Sequence, residues 1–157
     1  MGKWKRYLPE LSFIALSLFI GGIGGLLTKI GMPAFDAMQK PWFTPPKWAF
    51  PVVWTALYIL MGIGMGRVWK YHSRTLPRCL AVFGIQLLMN LFWTVWFFLL
   101  QWYGFAFWWL VGLFAAVVWM TVCFFKAESL AGKLQIPYLV WLILAGALNY
   151  GVWMMNS

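Results

Sequence analysis

Five long apolar stretches alternate along the chain with short segments that hold nearly all of its charged residues and most of its prolines. A helix needs roughly 20 residues to cross a bilayer core of about 30 Å. The pattern therefore predicts an all-α integral membrane bundle of five transmembrane helices, near residues 8–27, 48–68, 79–100, 105–125 and 136–155, in a single domain spanning 1–157. The longest connection, 28–47, contains Lys40-Pro41-Trp42-Phe43-Thr44-Pro45-Pro46-Lys47. Each proline lacks a backbone donor and crowds the preceding turn, so this segment is expected to be an ordered, non-helical cap. Beyond it, Trp54, Tyr58, Met61 and Met65 recur three or four residues apart and give the second helix an aromatic, deformable wall.

Polar positions inside the apolar stretches carry the next step. In the third helix Gln86, Asn90, Thr94 and Phe97 share a face, with Trp93 beside them. An unpaired amide in hydrocarbon costs a few kcal/mol, so that face should point into the bundle. In the fifth, Trp141, Ala145 and Asn149 recur every four residues, with Pro137 suited to the first turn. The small Ala145 between two larger groups leaves room for something flat. The pairs Gly21/Gly25 and Gly62/Gly66 allow close helix approach and read first as packing within the bundle.

Composition and charge sharpen the class and narrow the chemistry. With 64% hydrophobic and 10% charged residues, a water-soluble domain of 157 residues could not hide its apolar surface. Lys3, Lys5 and Arg6 precede the first apolar run, but its length and the lack of a small-x-small cleavage site make it a retained helix, not a signal peptide. Arg67, Lys70, Arg74, Arg78, Lys126 and Lys133 fall on the same side as the N-terminus, against Lys29, Lys40 and Lys47 on the other. The positive-inside rule then puts the N-terminus in the cytoplasm and the cap and C-terminus outside. The net charge of +9 reads as topology and headgroup contact, not as nucleic-acid binding, because the cations are scattered around helix ends.

Glu10, Asp36 and Glu128 all lie off the membrane centre, which argues against a proton-coupled transporter and against hydrolase chemistry. The single histidine, His72, falls in a solvated basic loop, so no intramembrane haem ligand is available; Cys79 and Cys123 read as free thiols, and no metal site is expected. Of the 13 tryptophans, Trp4, Trp102, Trp108, Trp109 and Trp153 lie near helix ends, as an interfacial belt requires. For Trp54, Trp93 and Trp141, spacing leaves pocket lining and plain packing equally open.

Five segments together resemble the tryptophan-rich sensory protein family, also called the translocator protein or peripheral benzodiazepine receptor (TspO/MBR) family. They are Phe35-Asp36-x-x-x-Lys40-Pro41-x-Phe43-x-Pro45-Pro46, Val53-Trp54-Thr55-x-x-Tyr58, Asn90-x-x-Trp93-Thr94, Pro137-Tyr138-x-x-Trp141 and Leu148-Asn149-Tyr150. The resemblance covers nearly the whole chain in order. It implies a five-helix bundle whose cavity binds porphyrins and, in family members, isoquinoline and benzodiazepine drugs. Carried over by position, the ligand site is Phe35, Trp54, Tyr58, Asn90, Trp93, Trp141 and Ala145, beneath a cap loop with Lys40, Pro41, Pro45, Pro46 and Lys47. A planar tetrapyrrole, protoporphyrin or haem-like, would stack on indoles while its carboxylates meet Lys40 or Lys47.

The implied function is binding of tetrapyrroles and similar flat molecules for transport, sensing or disposal, with porphyrin as a ligand and no obligatory cofactor. The alternatives are light- and oxygen-dependent porphyrin degradation through Trp54 and Trp141, and a structural role centred on a dimer. A homodimer through helix–helix packing is expected from the small residues on helical faces, Gly21 with Gly25, Gly62 with Gly66 and Ala81 with Gly84, and the resemblance favours the third helix as its face. Two departures matter: Phe35 stands where the family commonly has Tyr, and no basic residue follows Leu148 and Tyr150 to complete a cholesterol-recognition pattern. A short chain of helical spans suggests a bacterial inner-membrane protein.

Overall fold

The computed structural model describes residues 2–71 and 74–157, and His72 lies outside them. After a 3-10 turn at Lys3–Tyr7 come α1 (Leu8–Ala37), α2 (Ala49–Lys70), α3 (Leu76–Thr94), α4 (Tyr103–Ala127), a short α5 (Ser129–Lys133) and α6 (Ile136–Met155). Among the described residues there is no strand, and five helices are long and apolar enough to cross a membrane. Pro9, Pro51, Pro77 and Pro137 each sit in the first turn of their helix, where no backbone N–H is needed.

Two boundaries differ from the sequence expectation, for identifiable reasons. The first helix does not end near residue 27 but runs to Ala37, through Pro33. Its last turns are held by tertiary packing: Gly31 lies so close to α3's end that an added Cβ would stand 2.5 Å from the Phe98 carbonyl oxygen, and Phe35 is buried among Phe50, Phe97 and Phe98. Those contacts outweigh the one hydrogen bond that Pro33 removes. The connection thus shortens to 38–48. At the other end of the third span, the α-helix stops at Thr94 and continues as a π-helical turn, Val95–Leu99, closed by Leu100 N donating to the Val95 carbonyl at 3.0 Å. The extra residue swings Trp96, Phe97 and Phe98 out of α-helical register and places Phe97 and Phe98 in the core.

The Gly62/Gly66 pair acts within the bundle. A Cβ on Gly62 would fall on the backbone of Ile14, and one on Gly66 on the backbone of Glu10, so α1 and α2 pack backbone to backbone. Behind them a core of Met61, Met65, Val68, Leu113, Val117, Met120, Phe124 and Leu142 is almost wholly buried. Trp4, Trp102 and Trp108 are exposed near helix ends, as expected of a belt. Trp109 differs: its indole N–H donates to the Met89 carbonyl at 2.7 Å and fastens α4 to α3.

All three acids are paired. Asp36 meets Lys47 at 2.6 Å across the base of the cap loop, Glu10 meets Lys70, and Glu128 takes two hydrogen bonds from Arg67, at 2.8 and 3.2 Å. Glu128 also caps α5 by accepting from Leu130 N and Ala131 N. The Arg67 guanidinium, helped by those two amides, lowers the Glu128 carboxyl to about 2. A depressed carboxyl contributes stability that is full above its ordinary value, near 4.5, and fades as pH falls toward 2. Thermal melts of the purified protein should therefore show acid destabilisation between those limits. Glu128→Gln should flatten that part of the profile, and an unchanged profile would show that the clamp contributes nothing.

Candidate ligand cavity

The cavity forms where α1 lacks side chains. Gly21, Gly22, Gly24 and Gly25 leave a trough in α1 opposite Phe50, Trp54 and Tyr58 of α2, with Asn90, Trp93 and Thr94 of α3 forming the floor and Met32 and Phe98 the outer end. Its volume is about 540 Å³, within the range of roughly 300–1,000 Å³ typical of small-molecule sites. Gly22, Gly25, Lys29, Lys47, Pro51 and Thr55 are exposed lining residues, so the mouth lies on the flank of the bundle between α1 and α2. An aromatic wall faces a wall of bare backbone across a slot.

The floor is rigid because its polar atoms are mutually satisfied. Tyr58 Oη donates to Asn90 Oδ1 at 3.3 Å, Asn90 Nδ2 donates to Tyr138 Oη at 2.8 Å, and Tyr138 Oη donates to Gln86 Oε1 at 2.9 Å. Trp93 donates to Asn149 Oδ1 at 3.0 Å, and Asn149 donates in turn to the Tyr103 carbonyl at 2.8 Å. Satisfied networks of this kind fix one geometry in a low-dielectric interior. The inward face expected for Gln86, Asn90, Trp93, Thr94 and Phe97 is what forms, with each of them buried.

The residues singled out from the sequence separate into two layers. Trp54, Tyr58, Asn90, Trp93 and Lys47 line the cavity. Trp141 stands behind that wall, with its ring 6.4 Å from Trp54 and nearly perpendicular to it, and 6.1 Å from Phe50. Phe35 supports the outer end through Phe98, 5.6 Å away, and Ala145 is buried outside the lining. Lys40 is turned to another task. Its ammonium bonds the carbonyls of Phe35, Asp36 and Met38 at 2.7, 3.1 and 3.2 Å, capping the C-terminus of α1. The cations that border the cavity are Lys47 and Lys29. Lys29 escaped the sequence reading as a site residue, although Gly21, Gly25 and Lys29 are spaced four apart and so share a helix face.

Over the outer end runs the proline-rich cap, 38–48. A turn closes it, with Thr44 N and Thr44 Oγ1 both bonded to the Pro41 carbonyl, at 3.1 and 2.6 Å. Its far side is tied to the end of α6. Gln39 N donates to Asn156 Oδ1 at 3.1 Å, Asn156 Nδ2 donates to the Gln39 carbonyl at 2.8 Å, and buried Pro41 presses on Gly151 so closely that a side chain there would collide with its ring. Asn156 thus pairs with the loop as a strand would. Asn156→Ala is expected to accelerate ligand dissociation by roughly fivefold, as loss of about 1 kcal/mol of hydrogen bonding would. Stopped-flow dissociation rates check it, and a rate equal to wild type would show that this tie does not hold the cap.

Comparison with known proteins agrees with this architecture. The sequence profile of the TspO/MBR family matches residues 13–154. The chain is 37% identical over 124 residues to "Protein CrtK" of Rhodobacter capsulatus, covering 78% of each chain. It is 35% identical over 151 residues to "Tryptophan-rich protein TspO" of Archaeoglobus fulgidus, covering 96% of this chain and 98% of that one. It is 34% identical over 156 residues to "Translocator protein" of Homo sapiens, covering 96% and 91%.

Proposed function

The chain belongs to the TspO/MBR family, and from that premise we propose that it binds tetrapyrroles and similar flat apolar molecules in the slot between α1 and α2, for their transport, sensing or disposal. The observation that carries this reading is the asymmetry of the cavity: the Trp54 and Tyr58 side chains on one wall, glycine backbone on the other, and Lys29 and Lys47 at the mouth. A porphyrin ring would lie against Trp54, with one propionate meeting Lys29 and the other meeting Lys47 in exchange for Asp36, its ion-pair partner at 2.6 Å. The fit needs no metal ligand, since the ring is held by stacking and its edge by charge.

Protoporphyrin IX titrated into the protein in nanodiscs should quench tryptophan fluorescence and saturate at one molecule per chain. Linear, non-saturating uptake equal to that of empty nanodiscs would overturn the reading. A second reading, light- and oxygen-dependent porphyrin degradation, is favoured by one observation: the oxidisable Trp54 borders the slot with Trp141 directly behind it.

In this proposal the protein sits in a bacterial inner membrane with its N-terminus cytoplasmic and the cap outside, as the distribution of cations suggests. It forms a homodimer through α3, where exposed Ala81 and half-exposed Gly84 point away from the bundle beside exposed Ile85 and Leu88. No neighbouring atom lies within 4 Å of a Cβ built on Gly84, so that face is free to receive a second copy.

A further inference from the structure

At the opposite end of the bundle from the cap, where α1 begins and α2 ends, a second pocket of about 260 Å³ is lined by Arg6, Tyr7, Glu10, Arg67, Lys70 and Tyr71. It is unrelated to the slot in chemistry, being built from charged and phenolic groups, and its cations were expected from the sequence to set topology and to meet anionic headgroups in general, not to form a pocket. The first apolar span starts at Lys3 and the second stops at Lys70, so the pocket lies at the depth of lipid headgroups.

Its charges are arranged unequally. Arg67 spends Nε and Nη2 on Glu128, and Lys70 pairs with Glu10 Oε1 while lying 5.0 Å over the Tyr7 ring. Glu10 is 9% exposed, and its second oxygen, Oε2, is buried with no hydrogen-bond partner among the described residues. An orphaned carboxylate oxygen is costly in an interior, more so than a neutral one, because both its charge and its lone pairs go unmet. Counting Glu10 and Glu128 against Arg6, Arg67 and Lys70, the cluster keeps one positive charge in excess. It therefore presents cationic donors for an anion together with one strong acceptor that calls for a donor.

We infer that this pocket binds a phosphate ester bearing a primary ammonium group, the chemistry of phosphoethanolamine. The phosphate oxygens meet Arg6 and the free edge of Arg67, and the ammonium donates to Glu10 Oε2. The source of that chemistry is either the headgroup of a phosphatidylethanolamine or a free phosphoethanolamine ester. A quaternary choline headgroup has no N–H to give and fails at Glu10, which distinguishes this site from general attraction of a basic surface to anionic lipid.

The full-length protein is examined by native mass spectrometry from equimolar phosphatidylethanolamine and phosphatidylcholine, and in parallel by thermal melts in phosphatidylcholine nanodiscs with O-phosphoethanolamine or inorganic phosphate. For the lipid source, phosphatidylethanolamine should be retained about tenfold over phosphatidylcholine, as one charge-assisted hydrogen bond allows. Glu10→Gln should reduce that preference, Arg6→Gln should reduce retention, and Lys5→Gln, outside the pocket, should change neither. For the free ester, O-phosphoethanolamine should raise the melting temperature of wild type but not of Arg6→Gln. Because Arg6 is exposed, its variant keeps the test valid should Glu10→Gln fold poorly. Equal retention of both lipids without a shift by O-phosphoethanolamine would overturn the inference. So would a phosphatidylethanolamine preference or an O-phosphoethanolamine shift that Arg6→Gln leaves unchanged, or protection by inorganic phosphate as strong as by O-phosphoethanolamine.

Discussion

Replacing Gly62 or Gly66 by leucine is expected to abolish porphyrin binding and to lower the melting temperature sharply, whereas leucine at Gly25 should abolish binding with the fold intact. At Gly62 the new Cβ would fall on the backbone nitrogen and Cα of Ile14, and at Gly66 on those of Glu10. Backbone cannot rotate aside as a side chain can, so α1 must move away from α2. Overpacked cores lose typically 1–3 kcal/mol, and two rigid helices forced apart belong at or above the top of that range. The slot goes with the packing, since α1 and α2 are its two walls. Gly25 lines the same slot, yet nothing lies within 4 Å of a Cβ built there. A leucine at that position fills the space a ligand needs and disturbs no neighbour. Melting curves beside protoporphyrin titrations of the three variants decide it: an unchanged melting temperature in Gly62→Leu would mean that the close approach of α1 and α2 is not what holds the slot open.

The same contrast shows what the sequence could and could not reveal. Five spans, the inward polar face of α3 and the non-helical cap around Pro41, Pro45 and Pro46 were all legible, because each follows from local rules of burial and backbone geometry. Small-xxx-small spacing announced close packing at Gly62 and Gly66, but the identical spacing of Gly21 and Gly25 leads to a different end. Gly21 meets the Tyr58 ring while Gly25 faces the slot, and periodicity alone does not say what stands opposite. The continuation of α1 through Pro33 and the π-helical turn after Thr94 depend on contacts between distant segments, Gly31 and Phe35 with Phe97 and Phe98, which no local signal encodes. Lys40 shows the same limit: its spacing from the prolines matched the family pattern, yet the carbonyls at the end of α1 claim its ammonium.

The final test separates the two tryptophans that the sequence grouped together. Trp54 lines the slot and touches Tyr58, Tyr138 and Trp141 at ring separations of 5.8, 6.1 and 6.4 Å, whereas Trp141 reaches the slot only through Trp54 and Phe50. Trp54→Ala removes both buried area and a stacking partner, so protoporphyrin affinity should fall at least about tenfold. Trp54→Phe retains a ring to stack on and should hold affinity within roughly threefold of wild type. Trp141→Phe should bind as wild type does, and its buried indole N–H has no partner among the described residues, so no hydrogen bond is lost with it. Illumination then distinguishes binding from photochemistry. Phenylalanine is far harder to oxidise than tryptophan, so if an excited porphyrin takes its electron from the slot wall, Trp54→Phe should slow the loss of porphyrin absorbance most. Trp141→Phe should slow it less, by removing the indole that refills Trp54, and the double variant should be at least as slow as Trp54→Phe. Equal bleaching in all four proteins, at equal folding and occupancy, would remove the photochemical reading and leave the slot as a binding site alone.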